Sequence, residues 1–196
     1  MSLNLSPINS SLTQKQKLKW IFENKKHTKK VSVSENSFVI EYFEYHDFNE
    51  FFETTKFLFD EFTKTYPIGV FKIKLRYINE ITDTGNYREW DGLIDSNLIT
   101  ISKEFVEDNT DILNSLHNLE IKEESYNLKF NFGLHNSNYP AEITDKIFIL
   151  DYECVTADDV EKADVYNNIK QYNQIITNWF EKSIGDNLRR KMGVNL

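Results

Sequence analysis

The sequence contains very little cysteine, proline or glycine, with one Cys, three Pro and six Gly among 196 residues. The lone cysteine, Cys154, cannot form an intramolecular disulfide, which is typical of a reducing compartment. Six glycines leave little material for phosphate-binding loops, and no P-loop, dinucleotide-binding or Gly-x-Ser-x-Gly motif occurs. No apolar run reaches the roughly 18 residues that span a bilayer, and no secretory signal is recognisable. We therefore expect a cytoplasmic protein that does not contact a membrane.

Residues typical of catalytic or metal sites are also sparse. The four histidines (27, 46, 117 and 135) have no ligand spacing with one another or with Cys154, so the sequence predicts no metal and no cofactor. Glu120-Ile121-Lys122, with Asp108 and Asp111 upstream, superficially resembles the acid…Glu-x-Lys pattern of metal-dependent nucleases. Such a triplet arises easily by chance in a chain with 28% charged residues. A nuclease-like hydrolase is therefore only an alternative hypothesis, and we do not expect an enzyme.

What the chain does have is aromatic side chains and acidic charge. It contains 15 Phe, 10 Tyr and 3 Trp, and its formal net charge is -8. The charge is uneven, because residues 15–30 hold seven lysines and one acid, whereas the remainder holds 16 basic and 30 acidic residues. We call these seven lysines (15, 17, 19, 25, 26, 29 and 30) the lysine cluster. The overall acidity disfavours a general nucleic-acid binder, but the cluster leaves local contact with RNA or DNA open.

Hydrophobic periodicity predicts an α+β fold. A period of two predicts strands at 18–22, 31–33, 38–45, 70–81, 116–123, 126–134 and 147–154. A period near 3.6 predicts helices at 48–66 and from about 158 to 192, each preceded by capping-box spacing, at Asp47/Glu50 and at Thr156/Asp159. Residues 90–98 are expected to form a helical turn and 99–106 a strand or loop.

The order strand, strand, strand, helix thus occurs twice. It predicts a largely antiparallel sheet covered on one face by two helices, in a single α+β domain over residues 15–196. Residues 1–14, which are polar and rich in Ser and Asn, are expected to form a flexible N-terminal arm. Trp20 and Phe22 alternate with Lys19 and Ile21, so their rings are expected to lie in the core.

Three cations fall at alternate positions of the predicted strand 70–81, namely Lys72, Lys74 and Arg76, and we call them the cationic stripe. Such a row can bind an anion or nucleic acid, or it can pair with acids on neighbouring strands such as Glu41, Glu120 or Asp151. The planar guanidinium of Arg76 suits a fixed carboxylate, and Asp151 lies in a strand that could be adjacent. We therefore predict a structural Arg76–Asp151 ion pair.

Two segments resemble a sporadically distributed family of uncharacterised bacterial proteins. They are Leu75-Arg76-Tyr77-Ile78-Asn79 after the aromatic helix, and a C-terminal part with Ile149-Leu150-Asp151-Tyr152-Glu153, Phe180-Glu181-Lys182-Ser183-Ile184 and Leu188-Arg189-Arg190-Lys191-Met192-Gly193. The resemblance covers roughly residues 16–193, and members usually carry a longer N-terminal portion. It implies a prokaryotic intracellular protein and brings no assigned activity.

The leading hypothesis is a non-enzymatic protein-interaction module that binds a protein partner or forms a self-dimer, since the aromatic content can exceed what one core consumes. The alternative is a protein that contacts nucleic acid. Its candidate binding residues would be Lys25, Lys26, Lys29 and Lys30 of the cluster, with Lys72, Lys74 and Arg76 of the stripe.

Overall fold

The computed structural model describes residues 18–66, 70–82, 90–107, 112–141 and 147–193. The predicted arm at 1–14 and the lysines at 15 and 17 lie outside these ranges. The chain divides into two compact units, Met1–Glu61 and Phe62–Leu196. The predicted α+β class with antiparallel strands is confirmed. Among the described residues, however, the strands are not joined in one sheet but form antiparallel sheets of three, two and four strands.

The first unit contains a three-stranded meander and most of the first helix. Strands β1 (Lys19–Glu23), β2 (Lys29–Ser34) and β3 (Ser37–Tyr42) pair in sequence order. Helix α1 (Phe48–Thr65) begins after Asp47, whose carboxylate accepts a hydrogen bond from the Glu50 amide at 3.0 Å. This satisfies one of the amides that a helix leaves unpaired in its first turn, as the capping-box spacing predicted.

The second unit is built on a four-stranded sheet. The pairing order of its strands is β5 (Lys74–Thr82), β8 (Ile147–Thr156), β7 (Tyr126–His135), β6 (Ser115–Lys122). A two-stranded sheet pairs β4 (Val70–Phe71) with β9 (Val160–Glu161). The helices are α2 (Ser96–Phe105), α3 (Val165–Ser183), which follows a short 3-10 helix at Lys162–Asp164, and α4 (Asp186–Lys191).

One face of the four-stranded sheet carries the core. Helix α3 buries Ile169, Tyr172 and Ile176. On the sheet, Phe130 and Tyr152 stack with ring centroids 4.5 Å apart, and Trp179 of α3 meets Phe130 edge-on at 5.8 Å. Such large buried side chains each contribute about 2 kcal/mol by leaving water. The predicted central position of β8 is confirmed, because it is paired on both sides and is buried along most of its length.

Three local predictions are wrong. Residues 99–106, expected as strand or loop, mostly belong to helix α2, which Asp95 caps by accepting from the Asn97 amide at 3.0 Å. The helix expected from 158 starts only at Val165, because Val160–Glu161 pair with β4 and Lys162–Asp164 form a 3-10 helix. Thr156, expected in the capping box, still belongs to the sheet: its amide donates to the Ile73 carbonyl, and its hydroxyl accepts from the Ile73 amide. The same contacts interrupt the strand expected at 70–81.

The predicted C-terminal helix is also divided. Between α3 and α4, Ile184 forms a bridge with Ile94, and the Gly185 amide donates to the Leu93 carbonyl at 2.8 Å. A side chain at Gly185 would come within 2.3 Å of the Gly92 carbonyl oxygen, so only glycine allows this approach. The predicted cap at Gly193 adopts a φ of 82° after α4, which is the left-handed conformation typical of a helix C-terminus.

Candidate interaction surface

Within the lysine cluster, the residues on β2 are paired with acids. Lys29 forms an ion pair with Glu50 of α1, and this hydrogen bond raises the pKa of Lys29. Its ammonium also lies 4.5 Å from the ring centroid of Tyr42. Lys30 lies 2.6 Å from Glu41 on β3. These two predicted binding residues therefore pair with carboxylates of their own unit, Lys29 between β2 and α1 and Lys30 between β2 and β3.

Lys25 and Lys26 differ from these, because they lie exposed in the turn between β1 and β2. Among the residues that the structure describes, neither has an acidic partner within ion-pair distance. Asn24 forms the turn by accepting from the amides of Thr28 and Lys29. The turn thus presents its lysines to solvent beside β1.

Strand β1 has an unusual surface. All of its residues are exposed. The exposed fractions of its large apolar residues are 54% for Trp20, 54% for Ile21 and 62% for Phe22, and Leu18, which precedes the strand, is 70% exposed. The expectation that Trp20 and Phe22 lie in the core is therefore wrong. Their face of the meander does meet α1, but the helix packs over β3, where Phe38 contacts Phe59 and Tyr42 contacts Phe51. The apolar side of β1 is left uncovered by any described residue of its own unit.

β1 is also an edge strand. It pairs with β2 on one side, and no described strand pairs with the other. An edge strand presents a row of unpaired main-chain N–H and C=O groups to an added strand. Proteins usually keep such edges short, charged or covered, and contiguous exposed apolar side chains commonly mark an interaction site.

The cationic stripe is not a free row of charges. Lys72 lies between β4 and β5 and donates to the Ala157 carbonyl at 3.1 Å. Lys74 and Arg76 do share one face of β5, but Lys74 lies 3.0 Å from Glu153 on the neighbouring strand. The structure thus places two of the three cations together and gives all three a partner in the second unit.

Arg76 and Asp151 come together as a bidentate pair. Arg76 donates from Nε and from Nη2 to the two carboxylate oxygens, at 2.7 and 2.8 Å. The pair raises the pKa of Arg76, chiefly through these hydrogen bonds. Asp151 is 8% exposed at the side chain and Arg76 is 49% exposed, so the carboxylate is buried under a half-exposed guanidinium. This geometry indicates a structural role for Arg76.

The pair belongs to a polar row that crosses all four strands. Asn131 on β7 donates to Asp151 at 3.0 Å, and Asn118 on β6 donates to Asn131 at 2.6 Å. These two asparagines were not predicted from the sequence. Each lies at a polar position of a strand in which polar and apolar residues alternate. Only the register, which places residues 118, 131 and 151 opposite one another across the sheet, shows that their side chains are in contact.

The structure describes two of the four residues of the hydrolase alternative, Glu120 and Lys122. Glu120 and Lys122 point to the same face of β6 as the polar row, and Glu120 lies 3.3 Å from Lys129 on β7. Asp108 and Asp111 lie outside the described residues. Among the described residues, no three His, Cys, Asp or Glu side chains converge to hold a metal ion.

Cys154 is fully buried against α3. Burial raises its thiol pKa to about 12, with Glu153 contributing second, so the thiolate that would act as nucleophile is disfavoured. The side chain therefore acts as a small apolar core residue.

Comparison with family models, with curated proteins and with solved structures finds no match for this chain. None of the helices in the described part of the chain is long and apolar enough to cross a membrane.

Proposed function

We propose that this chain is a non-enzymatic protein-interaction module that binds a protein partner along the open edge of β1. The observation that supports this proposal is the combination of an unpaired strand edge with Leu18, Trp20, Ile21 and Phe22, each more than half exposed. An added strand gains main-chain hydrogen bonds along such an edge, and side chains at alternate positions supply specificity. Trp and other aromatic residues are common at the centre of protein interfaces.

Further support comes from the charges. Four of the seven predicted binding cations already contact acids: Lys29, Lys30, Lys74 and Arg76. That reduces the positive surface available for a polyanion in a chain whose net charge is -8. The resemblance to bacterial proteins and the single cysteine lead us to place this activity in a bacterial cytoplasm.

The test is binding between purified proteins. A partner captured by the wild-type chain is purified, and its dissociation constant is measured by calorimetry against wild type and against the double variant Trp20→Ser/Phe22→Ser. We expect the double variant to bind at least about tenfold more weakly, because two exposed anchors are removed. The matched control is Phe57→Ser/Phe105→Ser, which removes two rings on α1 and α2 that are more exposed than those of β1, at 63% and 80%. Equal affinity of wild type and the β1 variant would contradict the proposal.

One observation favours a second candidate, contact with single-stranded nucleic acid. Because Trp20 and Phe22 are exposed, they can stack on bases while Lys25 and Lys26 of the adjacent turn contact phosphates. Binding of an unstructured oligonucleotide should then weaken steeply as salt rises and should be lost in Lys25→Glu/Lys26→Glu. Binding that is absent, or insensitive to both salt and this variant, would rule this candidate out.

A further inference from the structure

Strand β1 is self-complementary in an antiparallel pairing with a second copy of itself. The turn after β1 shows which residues of β1 direct their main-chain N–H and C=O groups toward β2. The Asn24 amide donates to the Lys29 carbonyl at 3.1 Å, so Asn24 and Lys29 are a hydrogen-bonded pair. Hydrogen-bonded pairs recur at every second residue of an antiparallel ladder. Trp20 and Phe22 therefore direct their main-chain groups toward β2.

The remaining residues of β1, Lys19, Ile21 and Glu23, direct their N–H and C=O groups to the open edge. A partner strand must match these three positions to make its hydrogen bonds. A second β1 does so across its full length when the two-fold axis passes through Ile21. Ile21 then faces its own counterpart, and Lys19 of each copy faces Glu23 of the other.

In the same register, the side chains of the two β1 strands are also complementary. Lys19 and Glu23 carry opposite charges and lie on the face of β1 that also carries Ile21. On the other face, Trp20 of each copy lies opposite Phe22 of the other, in the closely spaced positions between hydrogen-bonded pairs. Cross-strand pairs of opposite charge and of aromatic rings both stabilise an antiparallel ladder. The pairing would thus cover the exposed rings and close the open edge at once.

We propose that the partner bound by β1 is a second copy of this chain, and that two meanders join through β1 into one continuous six-stranded antiparallel sheet. This inference rests on the proposed function and names its partner. A two-fold symmetric contact places the same patch on both copies, which is the commonest form of homo-oligomer. The contact is short compared with interfaces of about 1,600 Å², so we expect a dissociation constant in the micromolar range.

Charge reversal gives the sharpest test. In a symmetric dimer, Lys19→Glu or Glu23→Lys places like charges opposite each other at both ends of the contact. Each single variant should raise the self-dissociation constant at least about tenfold. The double variant Lys19→Glu/Glu23→Lys restores opposite charges and should dimerise like wild type. An equimolar mixture of the two single variants should form the heterodimer, since every cross-strand pair is then complementary.

Sedimentation velocity measures these masses against the 23.3 kDa of one chain, at concentrations from about 10 to 500 µM that bracket the expected affinity. The matched control is Lys26→Glu, which changes the same charge in the adjacent turn and should leave dimerisation unchanged. A wild-type chain that stays monomeric throughout, or single variants that dimerise as wild type does, would overturn the inference.

A cross-link tests the register independently. Hydrogen-bonded pairs place their Cα atoms about 5.5 Å apart, within disulfide range. Ile21→Cys, incubated with oxidised glutathione as the oxidant, should therefore give a covalent dimer, while the native Cys154 is buried. Val39→Cys, at an exposed position of the opposite edge strand, should stay monomeric. A covalent dimer from Val39→Cys but not from Ile21→Cys would contradict the β1 pairing.

The two proposals fail in different ways. If wild type is monomeric and Trp20→Ser/Phe22→Ser still weakens binding of a different purified protein, the self-pairing is wrong and the interaction module remains. If that variant changes neither self-association nor binding of any purified partner, both are wrong.

Discussion

Asp151 is a buried carboxylate that depends on three hydrogen bonds, two from Arg76 and one from Asn131. A buried charge is tolerated when it is paired and hydrogen-bonded, and it becomes costly when one partner is removed. Removing a partner from the polar row should therefore be most costly at Asp151, where the row is least exposed.

Arg76→Met tests this dependence, because it removes the guanidinium and keeps much of the aliphatic stem. We expect the free energy of unfolding to fall by about 1–3 kcal/mol, less than for a fully buried pair since Arg76 is half-exposed. Urea denaturation followed by circular dichroism measures the change. The control is Lys129→Met on the same sheet face, whose ion pair with Glu120 is exposed on both sides and should contribute less than about 0.5 kcal/mol. Equal losses from both variants would contradict the role of Asp151.

At the scale of single residues, part of the polar row could be predicted from the sequence. Arg76 and Asp151 could be paired because both lie in predicted strands and a guanidinium fits a carboxylate. Asn118 and Asn131 could not be predicted, because strand alternation shows only which side chains share a face. Which of them lie opposite each other depends on the register and on the order of the strands.

At the scale of elements, Gly133 determines how closely β6 and β7 can pair. It adopts a φ of 133° within β7, and a Cβ placed there would lie 1.8 Å from the Ser115 carbonyl oxygen. No rotation of a side chain relieves a contact with main-chain atoms. The glycine therefore allows an approach that any other residue would prevent.

Gly133→Ala should lower the free energy of unfolding by more than about 2 kcal/mol, because both the φ angle and the close contact are unfavourable. Thermal unfolding followed by circular dichroism measures the effect. The control is Gly193→Ala, at a φ of 82° with no atom of a described residue within 4 Å of the added Cβ, which should cost about 1 kcal/mol. A smaller loss at position 133 than at 193 would be inconsistent with the close approach.

Most strands and helix α1 could be predicted from periodicity, but the two-residue strand β9 and helix α2 could not. Its stretch Ile99 to Val106 is rich in β-branched and aromatic residues, which favours a strand locally, while burial of Ile99 at 3% exposure stabilises the helix. Tertiary packing thus outweighs local preference here. Similarly, alternation shows that Trp20 and Phe22 share a face of β1, but it does not show whether a helix covers that face.

At the scale of the whole molecule, the proposed self-pairing of β1 predicts that the stability of the folded chain depends on protein concentration. A contact made only by folded chains stabilises them by mass action, so the unfolding midpoint rises with protein concentration. Diluting the wild type about a hundredfold should therefore lower the midpoint measured by scanning calorimetry. The Lys19→Glu variant serves as the control, and its midpoint should not change with dilution. A wild-type midpoint that is independent of concentration would argue against self-association.

The alternating orientation of side chains along β8 limits which insertions and deletions this sequence can tolerate. Asp151 and Tyr152 are neighbours with opposite orientations, since one enters the polar row and the other is fully buried against Phe130. Inserting or deleting one residue upstream within Ile147–Thr156 would exchange the two faces, turning the carboxylate toward the core and the phenol ring toward water. Descendants of this chain should therefore align through that segment without gaps, and changes in length should accumulate in the connections on either side.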